Sequence, residues 1–247
     1  MQEGLHDIEA RVKIAVRQFW TTRNAQAKKQ GRGGPKDQGL RSAVTGGAQM
    51  NGFCEMAEKL IRNAGVADCC VFCSKTLELP GYFRPTKKWD VLVVVDGQLL
   101  AVMEMKSQVG PSFGNNFNNR AEEAIGSATD LWTAYREGAF AQSPRPWLGY
   151  LFLLEDCPES NRPVKVDEPH FNVFKEFKDA SYAARYELLC RKLIRERLYD
   201  AAAFIMSESM AGVSGVYKEP AGDLGFGSWA ASLVAHVSAF SAVRRGK

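Results

Sequence analysis

The chain contains no run of eighteen or more apolar residues, so no bilayer-spanning helix is expected and no membrane partner with it. Its first residues, Met1-Gln2-Glu3-Gly4-Leu5-His6-Asp7, show no basic stretch followed by an apolar one, which argues against secretion and for a cytoplasmic, intracellular protein. Histidine is scarce: His6, His170 and His236 lie far apart. The cluster Cys69-Cys70-x-x-Cys73 therefore has no second ligand pair at zinc spacing, and buried thiols on a strand are the expectation. With no secretory signal, these three and Cys54, Cys157 and Cys190 are expected to stay reduced. Neither sign of charge dominates. A net charge of +4 proves nothing about nucleic acid by itself. There is also no internal repeat, and no linker long enough to set off a second domain.

What is present fits one α/β domain over residues 1–247, with a mixed central β-sheet flanked by helices on both faces. The 45% hydrophobic and 24% charged content are ordinary for a globular protein. Leu5, Ile8, Val12, Val16 and Phe19 recur at helical spacing, and Met50, Phe53, Cys54, Ala57, Leu60, Ile61 and Ala64 do so again before Gly65. Between them the glycine-rich, basic stretch 28–41 cannot pack and reads as a mobile loop. Strands are expected at Cys70–Cys73, Lys88–Val95, Leu99–Lys106, Trp147–Leu154 and Ala201–Met206. Asn118–Glu137, the stretch from Tyr182 to Ile194, and Trp229–Phe240 read as helices.

The chemistry sits in Trp89-Asp90-Val91-Leu92-Val93-Val94-Val95-Asp96-Gly97-Gln98-Leu99-Leu100-Ala101-Val102-Met103-Glu104-Met105-Lys106. One acid opens the first strand of a hairpin, and Glu-x-Lys closes the second, fourteen positions later. Charged groups inside apolar strands are costly unless paired or bound to a metal. Glu104 and Lys106 alternate with Met103 and Met105 and so share a face. Two carboxylates and a lysine suit phosphodiester hydrolysis: hard oxygens bind Mg²⁺, and an ammonium orients the nucleophile and offsets developing charge.

Whether one ion reaches both acids depends on hairpin register. A regular two-residue turn at Asp96-Gly97 sets Asp90 opposite Met103 and sends Glu104 to the other face. A three-residue loop Asp96-Gly97-Gln98, or a bulge, sets Asp90 opposite Glu104, where paired Cβ atoms lie ~4.5–5.5 Å apart. An odd-length connection or a bulge is therefore expected.

Asp90…Glu104-x-Lys106 resembles the PD-(D/E)xK nuclease motif, with Trp89 standing where proline is usual. The stretches from Phe83 to Asp90 and from Glu104 through Ser107-Gln108-Val109-Gly110-Pro111-Ser112-Phe113-Gly114-Asn115-Asn116-Phe117-Asn118-Asn119-Arg120 to Glu123 are similar to the XhoI family of type II restriction endonucleases. The resemblance implies a restriction-endonuclease-like fold, with Asp90, Glu104 and Lys106 catalytic. Mg²⁺ would be held by Asp90, Glu104 and the backbone carbonyl of Met105. It further implies a homodimer that cuts double-stranded DNA at CTCGAG after the first C, leaving 5′ overhangs, in a prokaryotic cell with a cognate DNA methyltransferase. A repair or recombination nuclease of the same fold, or a DNA-binding module with structural acids, remains open on the residues alone.

Further candidates surround the motif. Glu58, flanking the apolar face of the second helix better than Glu55, is a candidate extra metal ligand, and Gln108 a candidate contact to the scissile phosphate. Asn115, Asn116, Asn118, Asn119 and Arg120 belong to a loop expected to touch DNA, since asparagine can read adenine and arginine guanine. Asn118 or Asn119 serving only as a helix N-cap is the plainer alternative. Lys28, Lys29, Arg32 and Lys36 are expected to meet the phosphate backbone.

Overall fold

The computed structural model describes residues 7–32, 48–67 and 70–245. Among these, a five-stranded mixed sheet runs in the order β1 (Val71–Phe72), β4 (Val91–Val95), β5 (Gln98–Gln108), β6 (Trp147–Glu155), β7 (Ala201–Ser207). The first two pairings are antiparallel and the last two parallel. A separate ribbon joins β2 (Glu78–Pro80) to β3 (Thr86–Lys88).

Apolar side chains leave both faces of the sheet, so both are covered. One face packs on helices α1 (Ile8–Arg32), α2 (Asn51–Asn63) and α7 (Phe226–Arg245), whose Val12, Val16, Phe19, Phe53, Leu60, Trp229 and Leu233 are buried against Val91, Val93, Met103 and Leu151. The other carries α3 (Phe113–Arg136) and α5 (Tyr182–Arg195), with Ala128, Leu131, Tyr186 and Leu193 buried against Leu92, Val102, Tyr150 and Phe204. Short helices α4 (Pro158–Asn161) and α6 (Ser209–Gly212) complete the set. This is the mixed sheet with helices on both faces that the patterning predicts.

The hairpin departs from the expected three-residue loop. Val95 pairs with Gln98, so the turn is the two-residue Asp96-Gly97, with φ of 50° and 75° as a type I′ turn requires. The other expected device, a bulge, restores the register. Pairing runs Val94 with Leu99 but Val93 with Ala101, leaving Leu100 as the extra residue. Leu100 and Ala101 consequently both face the α1/α2/α7 side, while Leu99 and Val102 face α3 and α5.

Other boundaries moved for identifiable reasons. Helix α1 continues through Arg32, into the stretch read as a loop. Lys28, Lys29 and Arg32 lie on its last turns, with side chains outside the described set, and Lys36 and the rest of the expected loop lie outside the described residues. Helix α3 starts at Phe113, not Asn118, with Ser112 at the N-cap position, so neither Asn118 nor Asn119 caps it. Glycine and asparagine are poor helix formers. Here they are overridden by Phe113 stacked on Tyr182 at 5.7 Å and Phe117 edge-on to Tyr186 at 5.1 Å, anchors one helical turn apart. Cys70 and Cys73 flank β1, half-buried, instead of lying buried on it; Cys69 is outside the described residues. The segment Gly222–Arg244 is long and apolar enough to cross a bilayer, although polar residues interrupt it and no unbroken apolar run marks it. In the fold its Phe226, Trp229, Ala230, Leu233 and Val237 are core residues, and Trp229 packs edge-on to Trp147 at 5.2 Å.

A Cβ at position 97 meets nothing within 4 Å, so only backbone conformation requires glycine there. Gly97→Ala should therefore destabilise the protein by about 1–2 kcal/mol in denaturant titrations. Unchanged stability would contradict the I′ turn.

Candidate active site

The bulge shifts the register so that Val91 pairs with Met103, and Asp90, one residue earlier, donates its amide to the Met103 carbonyl at 3.2 Å and lies close enough to feel the Glu104 charge. Asp90 lies one residue before β4, and its Oδ2 accepts the Met105 amide at 2.7 Å. A strand residue points its N–H and C=O to the same side. The Met105 carbonyl is thus directed toward Asp90, past the point where β4 stops pairing.

Glu104 is almost completely buried. Its Oε1 accepts two ammonium groups, Lys106 Nζ at 2.9 Å and Lys87 Nζ at 3.0 Å. Its Oε2 is buried with no hydrogen-bond partner among the described residues. Burial alone would raise the Glu104 pKa, but Lys106 and Lys87 outweigh it and hold the carboxyl below its usual range. Burial raises Asp90, which the Lys106 charge and the Met105 amide only partly offset and Glu104 worsens. Burial would lower Lys106, yet Glu104 and Asp90 hold it above its ordinary value. Lys106 is therefore a fixed cation between two acids of unlike acidity. Beneath them Tyr150 and Tyr199 are buried, their hydroxyls pushed up chiefly by burial and further by the Glu104 charge.

Two neighbouring carboxylates, one with a buried oxygen that has no hydrogen-bond partner among the described residues, and the Met105 carbonyl form a set of hard oxygen donors suited to a small divalent cation. Among the described residues no group of three or more His, Cys, Asp or Glu side chains supplies an alternative centre.

Residues 29–219 match the family model described as "Restriction endonuclease XhoI". The chain belongs to the XhoI restriction endonuclease family. Over 213 residues it is 57% identical to the type II restriction enzyme BstVI of Geobacillus stearothermophilus, covering 84% of this chain and 95% of that one. The type II restriction enzyme XhoI of Xanthomonas vasicola is 50% identical over 201 residues, 78% of each chain. The type II restriction enzyme AbrI of Azospirillum brasilense is 52% identical over 168 residues, 68% of this chain and 75% of the relative. No solved structure gives a significant match. Membership of this family makes the chain a type II restriction endonuclease, a site-specific deoxyribonuclease.

The remaining candidates separate. Asn115, Asn118 and Asn119 lie on the first turns of α3, at the spacing of one helix face, instead of in a loop. Asn116 turns back and donates to the Ser112 carbonyl. Arg120 is half-buried, pairs with Glu123 at 2.6 Å, and lines both cavities that flank Lys106. Gln108 is buried; its amide holds the Val109 and Ser112 carbonyls at 3.2 and 3.0 Å and accepts from Tyr186, so it braces the start of α3 instead of facing outward. Glu58 is paired with Arg62 at 2.6 Å and lines a neighbouring cavity with Glu55, not the one holding Asp90 and Lys106. From the region of α2 that cavity instead receives Gln49, Asn51 and Cys54. The Cys54 thiol, pushed up by burial, contacts the Met105 sulfur at 3.7 Å and is not a ligand of the site.

Lys87 was missed as a site residue. The signal was Trp89: residues 87 and 89 share a side of an extended chain, and the Lys87 ammonium sits 4.3 Å from the Trp89 ring centroid. The ring steers this lysine to Glu104.

The opposite pKa directions give opposite stability effects in EDTA. Asp90 binds its proton more tightly folded than unfolded, so its ionisation weakens folding as pH rises above the unfolded value. Glu104 strengthens folding above its unfolded pKa, and that stability is lost as pH falls through its lowered value. At neutral pH Asp90→Asn should melt at or above wild type. Glu104→Gln, which strands two ammonium groups, should cost about 3 kcal/mol. Equal losses for both would contradict the assignment.

Proposed function

We propose that the chain hydrolyses phosphodiester bonds of double-stranded DNA at the palindrome CTCGAG, after the first C, as a Mg²⁺-dependent homodimer that leaves 5′ overhangs. The palindrome and cut position rest on the family resemblance. The observation that supports the chemistry is the bulge at Leu100, whose shifted register accompanies two acids, Asp90 and Glu104, that both act on Lys106. An intracellular setting and a cognate methyltransferase that protects host DNA follow from the same reading.

In this reading Asp90, Glu104 and the Met105 carbonyl hold Mg²⁺. When bound, the ion offsets charge gathering on phosphorus and lowers the pKa of a water. Lys106, held as a cation by both acids, donates hydrogen bonds to the attacking water and the phosphate instead of removing a proton. Lys87 shares the Glu104 oxygen with Lys106 and limits its rotation. Arg120, between the two flanking cavities, meets the backbone, and the face bearing Asn115, Asn118 and Asn119 reads base edges. Lys28, Lys29, Arg32 and Lys36 supply sequence-independent attraction.

Plasmid carrying one CTCGAG should yield a single linear product with Mg²⁺ and none with EDTA. Asp90→Ala, Glu104→Ala and Lys106→Ala should each lower the rate by roughly 10²–10³-fold or more. A smear, or wild-type cutting by Lys106→Ala, would overturn the reading.

Substituting Asn115, Asn118 and Asn119 together should narrow the affinity gap between CTCGAG and unrelated duplexes, by roughly 1–3 kcal/mol per lost bidentate contact, with Ca²⁺ replacing Mg²⁺. Equal weakening on both duplexes would remove these residues from base recognition.

A further inference from the structure

Between β2 and β3 the loop Gly81-Tyr82-Phe83-Arg84-Pro85 carries two large rings into solvent, Tyr82 at 54% and Phe83 at 70% exposure. They contact each other edge to face, with centroids 4.9 Å apart. Exposed aromatics on a floppy loop would mean little, but this loop is held at several points. Asp130 of α3, itself buried, accepts the amides of Tyr82 and Phe83, both at 2.8 Å, on one oxygen, and the Arg84 guanidinium at 2.7 Å on the other. Burial would raise the Asp130 carboxyl, but these three donors hold it below its usual range. Gly81 donates its amide to the Pro85 carbonyl, and a Cβ there would stand 2.6 Å from Asp130 and 2.7 Å from the Arg84 carbonyl. A buried carboxylate and a sterically required glycine thus fix a loop whose outward product is a pair of rings.

The position of the loop names the occupant. Arg84 lines the same cavity as Glu104 and Lys106. From Phe83 to Asp90 the chain can reach at most ~23 Å at ~3.3 Å per residue, about seven steps along a DNA strand. Between Glu78 and Asp90 it carries no acid, only Arg84, Lys87 and Lys88. The core of a contact between protein copies favours aromatics and arginine but is depleted in lysine, whereas rings followed by Lys87 and Lys88 suit a polyanion with stackable bases. The pinning helix α3 also bears the asparagine face and Arg120.

We propose that Tyr82 and Phe83 form an aromatic wedge that enters the duplex beside the cut and stacks on bases at a partly opened step. The wedge rests on the reading of the chain as a DNA-cutting enzyme. It adds a contact read by base faces and deformability to those read by base edges.

The test uses the full chain with Ca²⁺ and a duplex holding one CTCGAG, with 2-aminopurine placed in turn at steps within and beside the palindrome. Wild type should raise the fluorescence at one such step. Tyr82→Ala/Phe83→Ala, altered only at exposed positions, should keep its melting temperature, lose that signal and bind about tenfold more weakly. Tyr82→Phe/Phe83→Tyr, which keeps both rings, should behave as wild type. Unchanged affinity and fluorescence in the alanine pair would overturn the wedge alone. A wild type that unstacks the base without preferring CTCGAG would overturn the specificity and leave the wedge standing. Failure of wild type to bind DNA would overturn both. If the alanine pair instead falls to monomer in sedimentation while keeping the fluorescence signal, the rings belong to a contact between copies and the wedge is wrong.

Discussion

One extra residue in one strand decides what this sheet can do. Without the bulge at Leu100, the turn at Asp96-Gly97 would carry Glu104 to the face covered by α1, α2 and α7. There it would meet apolar side chains and no lysine. With it, Val102, Glu104, Lys106 and Gln108 alternate on the α3/α5 face, with Leu92 paired to Val102 and Asp90 near Glu104. The bulge separates the core-building first half of the strand from its chemical second half, a placement of bulges common beside active sites.

The second constraint is charge in a dry place. Two acids and two lysines converge where β4 begins, and burial penalises both acids and Lys106. Among the described residues Glu104 is compensated twice on one oxygen and has no hydrogen-bond partner on the other, whereas Asp90 accepts the Met105 amide and feels the field of its neighbours. Glu104 therefore holds an oxygen with no hydrogen-bond partner among the described residues, near a carboxyl whose pKa burial raises. Among the described residues, buried polar atoms without a hydrogen-bond partner gather here, at Glu104 Oε2, the Tyr150 hydroxyl and Arg120 Nε, with Trp229 Nε1 another in the opposite core, and such a gathering is the pattern expected of a functional site.

Much of this was legible in order. Valine-rich β4, the Asp-Gly turn and Glu-x-Lys at alternating positions exposed the hairpin and its acids, and the need to bring Asp90 and Glu104 to one face required an odd-length connection or a bulge. The choice between them was not legible, because it depends on how Leu99, Leu100 and Ala101 partition between two cores. The α3 start was hidden for a similar reason: Asn115–Asn119 argue against helix locally, and only Tyr182 and Tyr186, some seventy residues on, overrule them. Lys87 was obscured because Trp89 hints only at a held ammonium, while the acid it meets, Glu104, lies 17 residues on. Glu58 sat at a plausible helical phase, but the helix offset gives the cavity Asn51 and Cys54 instead.

The central claim is that the bulge makes Asp90 and Glu104 ligands of one ion, and Mn²⁺ binding followed by electron paramagnetic resonance tests it most directly. With a non-hydrolysable CTCGAG duplex present, wild type should take up Mn²⁺ saturably. Asp90→Asn and Glu104→Gln should each abolish that uptake, and combining them should add nothing further. Full Mn²⁺ binding in either single variant, or two separable losses, would show that the acids do not share an ion.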